Sequence, residues 1–307
     1  MPRIPLVVSD GVHEDAIRVL VTGFEPFANY KINPSWLAVR PLHNVLLEAS
    51  SPSEPVKLEN QHVLTDPDVA RPIHITSLLV PVTYDGVLSI VPKLHARPPL
   101  LPSPTSDDPE LQSFPIGPDP PADGYDLIFH VGAGMTGNLR IEKLGHKLGY
   151  NVPDVDNKYA SVVHKNDERG DKDTKAGGLD TAETFERGRV TLGTRDERVR
   201  GFAQGYESFA EELKTDIDVD ALVQELRDSG VDAVQASTNA GRYLCDFIYY
   251  CSLAEAQRTR EKESGKATKV LFVHCPPVGE PLSTEYVTEA LKRVVASTCR
   301  QLSSCNL

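Results

Sequence analysis

Five short apolar runs, each closed by small or polar residues, constrain this chain more than anything else in it. They are "IRVLVTGF" (17–24), "HITSLLVPV" (74–82), "YDLIFHVGA" (125–133), "VDAVQAS" (231–237) and "TKVLFVH" (268–274). Each is too short for a typical globular helix and carries β-branched residues, so each reads as a strand. Their near-continuous apolarity means that both faces of the sheet are covered. Helical patterns stand between and after them. In "NPSWLAVRPLHNVLLEA", Asn33 is placed to cap a helix and Pro34 to occupy its first position, with Pro41 kinking it further on. "TEYVTEALKRVVASTCRQL" closes the chain as an amphipathic helix. Strands alternating with helices predict an α/β fold, a three-layer α/β/α sandwich with a largely parallel central sheet.

Two stretches break this pattern. Residues 97–124 are proline-rich with little to bury, and residues 164–201 are charged, glycine-dotted and nearly free of large apolar side chains. Both read as flexible insertions on one catalytic domain spanning 1–307. A formal net charge of −12 argues against nucleic acid or an anionic membrane as partner, since both call for basic patches. No run approaches the roughly 18 apolar residues of a membrane span, and the first residues lack the pattern of a signal peptide. The five cysteines, an odd number, all fall between Cys245 and Cys305 without paired spacing. They read as free thiols in a reducing, cytoplasmic setting. No cysteine or histidine spacing suggests a metal site, and no cofactor is expected.

In open parallel sheets, ligands bind beyond the carboxyl ends of the strands. That rule gathers "FEPF", "GAGMTGNLRIEKLGH", "TNAGRYLCDF" and the strand end at His274 on one rim. Cys245 follows the turn "TNAG", within the first turns of a helix whose dipole would lower its pKa. His274 can take the thiol proton and later protonate a leaving amine. Glu142 is the acid available to orient the imidazole. A cysteine in such a helix is more often a small buried apolar residue, and a strand-end histidine or a glutamate usually has a structural or solvated role. Convergence of all three on one rim favours a thiol acyl-transfer site. Cys275 should face away from His274 because strand neighbours alternate; Cys251, Cys299 and Cys305 read as packing or surface thiols.

"GAGMTG" (132–137) fits the dinucleotide fingerprint G-x-G-x-x-G, but a helix must open from its last glycine. Gly145, Gly149 and Pro153 stand against that helix, and nucleotide binding is disfavoured. "ESGKATK" is not a phosphate loop, since it lacks the spaced first glycine and precedes a strand.

"VLVTGFEPFANYKINPSW", "LVPVTYDG", "HVGAGMTGNLRIEKLGHKLGY", "STNAGRYLCDFIYY" and "VLFVHCPPVGEP" together resemble the pyroglutamyl peptidase I (pyrrolidone-carboxylate peptidase) family, in the family's order and over about two thirds of the chain. "IEKLGHKLGY" and "AGRYLCDFIYY" look like its animal-type branch. The resemblance implies a cysteine exopeptidase that removes an N-terminal pyroglutamyl residue from small peptides. It carries the nucleophile onto Cys245, the base onto His274 and the acid onto Glu142. It also carries the aromatic pair that contacts the ring onto Phe24 and Phe27, and a position near the substrate pocket onto Asn33. The family's further acidic residue corresponds to Asp154 or Asp156. Bacterial members carry an arginine downstream of the acid, for which "GYNVPDVDN" has no match. Two other readings compete: a catalytically silent relative acting as a binding or scaffolding protein, and an oxidoreductase built on "GAGMTG". The intact trio counts against the first, and the missing helix against the second.

Overall fold

The structure, a computed structural model, describes residues 7–8, 15–47, 71–102, 117–163, 199–262 and 267–304. Half of the sequence-predicted insertion 97–124 (103–116) and nearly all of 164–201 (164–198) lie outside these residues.

The central sheet has eight strands: β1 (Val7–Val8), β2 (Ile17–Phe24), β3 (Val45–Leu47), β4 (Ile73–Val80), β5 (Leu127–Ala133), β6 (Leu139–Glu142), β9 (Val234–Ser237) and β10 (Lys269–Cys275). Their spatial order is β1-β3-β4-β2-β5-β10-β6-β9. The middle of the sheet, β4-β2-β5-β10, is wholly parallel. β3 runs against β4, and β6 runs against β10 while pairing in parallel with β9. A separate pair joins β7 (Leu144–His146) to β8 (Glu212–Lys214). Helices α1 (Pro34–Val39), α3 (Val219–Asp228) and α5 (Thr284–Ser304) cover one face, and α2 (Tyr84–Leu94) and α4 (Leu244–Lys262) the other. The fold is the expected three-layer α/β/α sandwich.

All five expected strands form, with ends shifted by up to three residues. Three other expectations change. Helix α1 does begin at Pro34, capped by Asn33, whose side chain accepts a hydrogen bond from Ser35 N (3.1 Å). Pro41 ends that helix instead of kinking it: a 3-10 turn spans Arg40–Leu42, and Val45–Leu47 become a strand. A proline lacks the N–H that the helix would need there. Second, "NLRIEKLGH" contains β6 and β7, so Glu142 stands on a strand and not on a loop. Third, β6 and β9 run against β10, so not every strand sends its carboxyl end to one rim; residues 238–243 carry the chain from β9 to α4. "GAGMTG" leads from β5 into β6, a strand where the dinucleotide fingerprint requires a helix.

Candidate active site

The site is assembled by strand register. In a paired ladder, opposed residues present their side chains on the same face, about 4.8 Å apart. Gly132 of β5 is opposite His274 of β10. One step back toward the strands' amino ends, His130 is opposite Phe272, and Phe272 is opposite Glu142 of β6. Two adjacent rows of the sheet therefore carry imidazole and carboxylate toward α4. There His274 Nδ1 donates to Glu142 Oε1 at 2.8 Å. Both side chains are buried, and Glu142 is fully so. With Nδ1–H committed to the carboxylate, Nε2 is the ring nitrogen left to exchange a proton.

Cys245 is the second residue of α4. Its Sγ lies 2.8 Å from where a Cβ on Gly132 would stand, and the Phe272 ring edge is equally close to that point. The thiol thus occupies the space above Gly132, in the position beside His274. Gly134 does the same for the base, since a Cβ there would come within 2.9 Å of His274 Cβ. The first two glycines of the apparent nucleotide motif, Gly132 and Gly134, leave room around a cysteine and a histidine. Cys275 packs in the aliphatic core on the opposite face, as alternation requires. Cys251 and Cys299 are buried as well, which leaves Cys245 the accessible thiol among the described residues.

The expectation of a low thiol pKa is reversed. Burial pushes the Cys245 thiol up, and Glu142, Cys275 and Asp246 add to it, while Arg140 opposes them. Desolvation outweighs the helix terminus here. Burial therefore favours the neutral thiol.

Around the trio lies an aromatic wall. Phe27, half-buried in the loop after β2, meets Tyr243 at 5.6 Å between ring centroids. Tyr243 stands two residues before the thiol and also contacts Tyr84 edge-on at 6.2 Å. Phe24 is buried in the same cluster. Asn33 sits behind this wall. Besides capping α1, its Nδ2 donates to Glu25 O at 3.1 Å, fixing the "FEPF" turn to the helix. Asp154 is buried and accepts from the amides of Tyr84, Asp156 and Lys158, so it shapes the loop beside α2; Asp156 is exposed.

Sequence reasoning missed a second buried polar cluster beside the thiol. Asp246, fully buried, accepts from His146 Nδ1 (3.0 Å) and from Tyr150 OH (2.9 Å). This joins the helix that bears Cys245 to the strand that follows Glu142. Gly145 permits the close approach, because a Cβ there would meet Tyr250 N at 2.9 Å. The repeated glycines and rings of "KLGHKLGY" were the available signal.

A thiol at a helix start, with an imidazole and a carboxylate on adjacent strands beneath it, is the constellation of a cysteine acyl-transfer site. Comparison with known proteins narrows the class. The pyroglutamyl peptidase family model matches residues 17–54. The chain is 25% identical over 299 residues to Pyroglutamyl-peptidase 1 of Mus musculus, covering 92% of this chain and 97% of that protein. To Pyrrolidone-carboxylate peptidase of Thermococcus kodakarensis it is 25% identical over 261 residues, covering 85% and 81%. The crystal structure of pyroglutamyl peptidase I from Bacillus amyloliquefaciens superimposes with a TM-score of 0.53 at 18% identity, over 92% of this chain and 97% of that one. The chain is thus similar to pyroglutamyl peptidases of animals and archaea over most of its length, and shares the fold of the bacterial one.

Proposed function

We propose that this protein is a cysteine exopeptidase that removes the N-terminal pyroglutamyl residue from small peptides, with Cys245 as nucleophile, His274 as base and Glu142 as its orienting acid. The observation that carries the reading is the thiol over Gly132, beside an imidazole whose Nδ1 is held at 2.8 Å by a fully buried carboxylate. Aromatic walls suit the substrate. A pyroglutamyl ring is a small neutral lactam without an ammonium, so a pocket for it needs apolar surface and a few polar partners. Phe24, Phe27 and Tyr243 supply that surface, and Asn33 holds the turn that carries two of them.

The mechanism follows from the geometry. His274 Nε2 accepts the Cys245 proton as Sγ attacks the carbonyl carbon attached to the ring. Glu142 steadies the imidazolium, and the backbone N–H of Cys245 at the helix start faces the oxyanion. The C–N bond breaks, and the amine leaves with the proton from His274. Water, deprotonated by the same histidine, then cleaves the thioester and releases pyroglutamate. The accessible Cys245 beside three buried thiols fits a reducing compartment, which supports the cytoplasm. Among the described residues no helix is long and apolar enough to cross a membrane.

The test is hydrolysis of a pyroglutamyl fluorogenic amide by the wild type and by Cys245→Ala, with a prolyl amide as control. Turnover of the pyroglutamyl substrate alone, lost in the variant, is expected. No turnover by folded wild type would overturn the reading in favour of a silent relative.

A further inference from the structure

Strand β6 sends a second charged side chain to the thiol's face. Residues two apart on a strand share a face, and Leu139 and Ile141 lie in the aliphatic core on the other side. Arg140 therefore points the same way as Glu142. In register it is opposite His274, so one row of the sheet reads Gly132, His274, Arg140 across β5, β10 and β6. Its guanidinium lies near the stem of His274: Nη2 is 3.4 Å from where a Cβ on Gly134 would stand, a point 2.9 Å from His274 Cβ. Its Nε lies 3.9 Å from Glu142 Oε1.

That last contact is long. A bidentate arginine–carboxylate pair closes to about 2.8 Å, so Glu142 leaves the guanidinium's charge largely unspent. The need for a cation here is plain from the neighbours. The charged and titratable groups around Cys245 are Glu142 and Arg140 from β6, His274 from β10 and Asp246 from its own helix, with Cys275 on the far face of β10 and His146 of β7 reaching it through Asp246. Glu142 and Asp246 are both fully buried carboxylates. A thiol that must ionise beside two buried negative charges needs a positive one within reach.

We propose that Arg140 is a positioning residue of this site: standing in the row of His274 with its guanidinium against Glu142, it supplies the positive charge that lets Cys245 give up its proton. The proposal rests on Cys245 being the nucleophile of the reading above, and it deepens that reading. A positive charge in the same buried site favours the thiolate over the thiol. The thiolate fraction near neutral pH, and with it the alkylation rate, should therefore fall about tenfold without Arg140.

The experiment measures iodoacetamide alkylation of Cys245 by peptide mass mapping from pH 6 to 11, in wild type, Arg140→Gln and Arg140→Lys. Steady-state kinetics on a pyroglutamyl amide run in parallel. Expected are an alkylation midpoint about one pH unit higher in Arg140→Gln, recovery of most of that shift in Arg140→Lys, and a lower kcat with little change in KM. An unmoved midpoint in Arg140→Gln overturns the proposal, as does a rise in KM alone, which would make Arg140 a substrate contact. Should Arg140→Gln not fold, a midpoint raised by a full pH unit or more in folded Arg140→Lys, whose charge is intact, would equally overturn it. If the midpoint shifts but no pyroglutamyl substrate is turned over, the charge role stands and the peptidase reading fails.

Discussion

The two faces of the central sheet are built from different materials. Under α1, α3 and α5 lies an aliphatic layer of valine, leucine, isoleucine and alanine, with Trp36 and Phe129 as its rings. Under α2 and α4, the same strands present Thr22, His130, Glu142 and His274 below a cluster of rings in which Phe202 stacks on Phe247 at 4.1 Å. On this second face the buried atoms Glu142 Oε2, His130 Nε2 and His95 Nδ1 have no hydrogen-bond partner among the described residues. Burying polar groups in this way costs stability. One face holds the sheet together, and the other spends part of that stability on groups whose properties depend on being dry.

The contrast can be broken at several points. The largest effect is expected for Glu142→Gln, which keeps the shape but removes the charge behind His274. Activity should fall roughly 10³- to 10⁴-fold, while the thermal midpoint holds or rises because a buried charge is gone. A lowered midpoint with activity intact would remove Glu142 from the reaction. Next is Gly132→Ala, whose Cβ would stand 2.8 Å from Cys245 Sγ and from the Phe272 ring. Displacing the thiol by about 1 Å costs on the order of 10²-fold in kcat/KM. Wild-type kinetics from that variant would mean the thiol does not need its present seat.

The opposite face should behave in the opposite way. Leu271→Ala, in the aliphatic layer, should cost about 2–5 kcal/mol in denaturant unfolding and leave kcat within about twofold at temperatures where the protein stays folded, since it makes no contact that exists only in the transition state.

The last effect concerns pH. Burial pushes His95 and His130 down to about 3, so both stay neutral in the fold while their unfolded counterparts titrate near the ordinary 6.5. Above that value neither state binds the proton and nothing is lost. Below it the unfolded chain binds more protons, so stability falls as pH drops from 6.5 toward 3, by up to about 1.4 kcal/mol per pH unit for each histidine. Unfolding curves at pH 7, 6 and 5 check this. A flat profile would show that these histidines are protonated in the fold.

The aliphatic face was also the legible one. Strands β2, β4, β5, β9 and β10 stand out because their apolar runs are continuous and end in small or polar residues. β6 did not stand out. Leu139 and Ile141 serve one face while Arg140 and Glu142 serve the other, and a buried polar face reads like a wet one. The trio was legible as chemistry, but its placement was not, because Gly132 and Gly134 act by what they leave empty. The direction of the thiol pKa was missed since the helix start shows in a local pattern, whereas burial by α4 and β10 is a property of the closed fold. The cluster of Asp246, His146 and Tyr150 joins residues about a hundred positions apart, which no local pattern reveals.

The row Gly132, His274, Arg140 has a consequence for how the protein fails on heating. Catalytic geometry set by loops can soften well before a domain melts. Here, His274 and Gly132 are neighbours in an interior ladder, and their spacing is fixed by main-chain hydrogen bonds shared with the rest of the sheet. Such interior strands open only with global unfolding. Thermal inactivation and loss of the sheet should thus be one event.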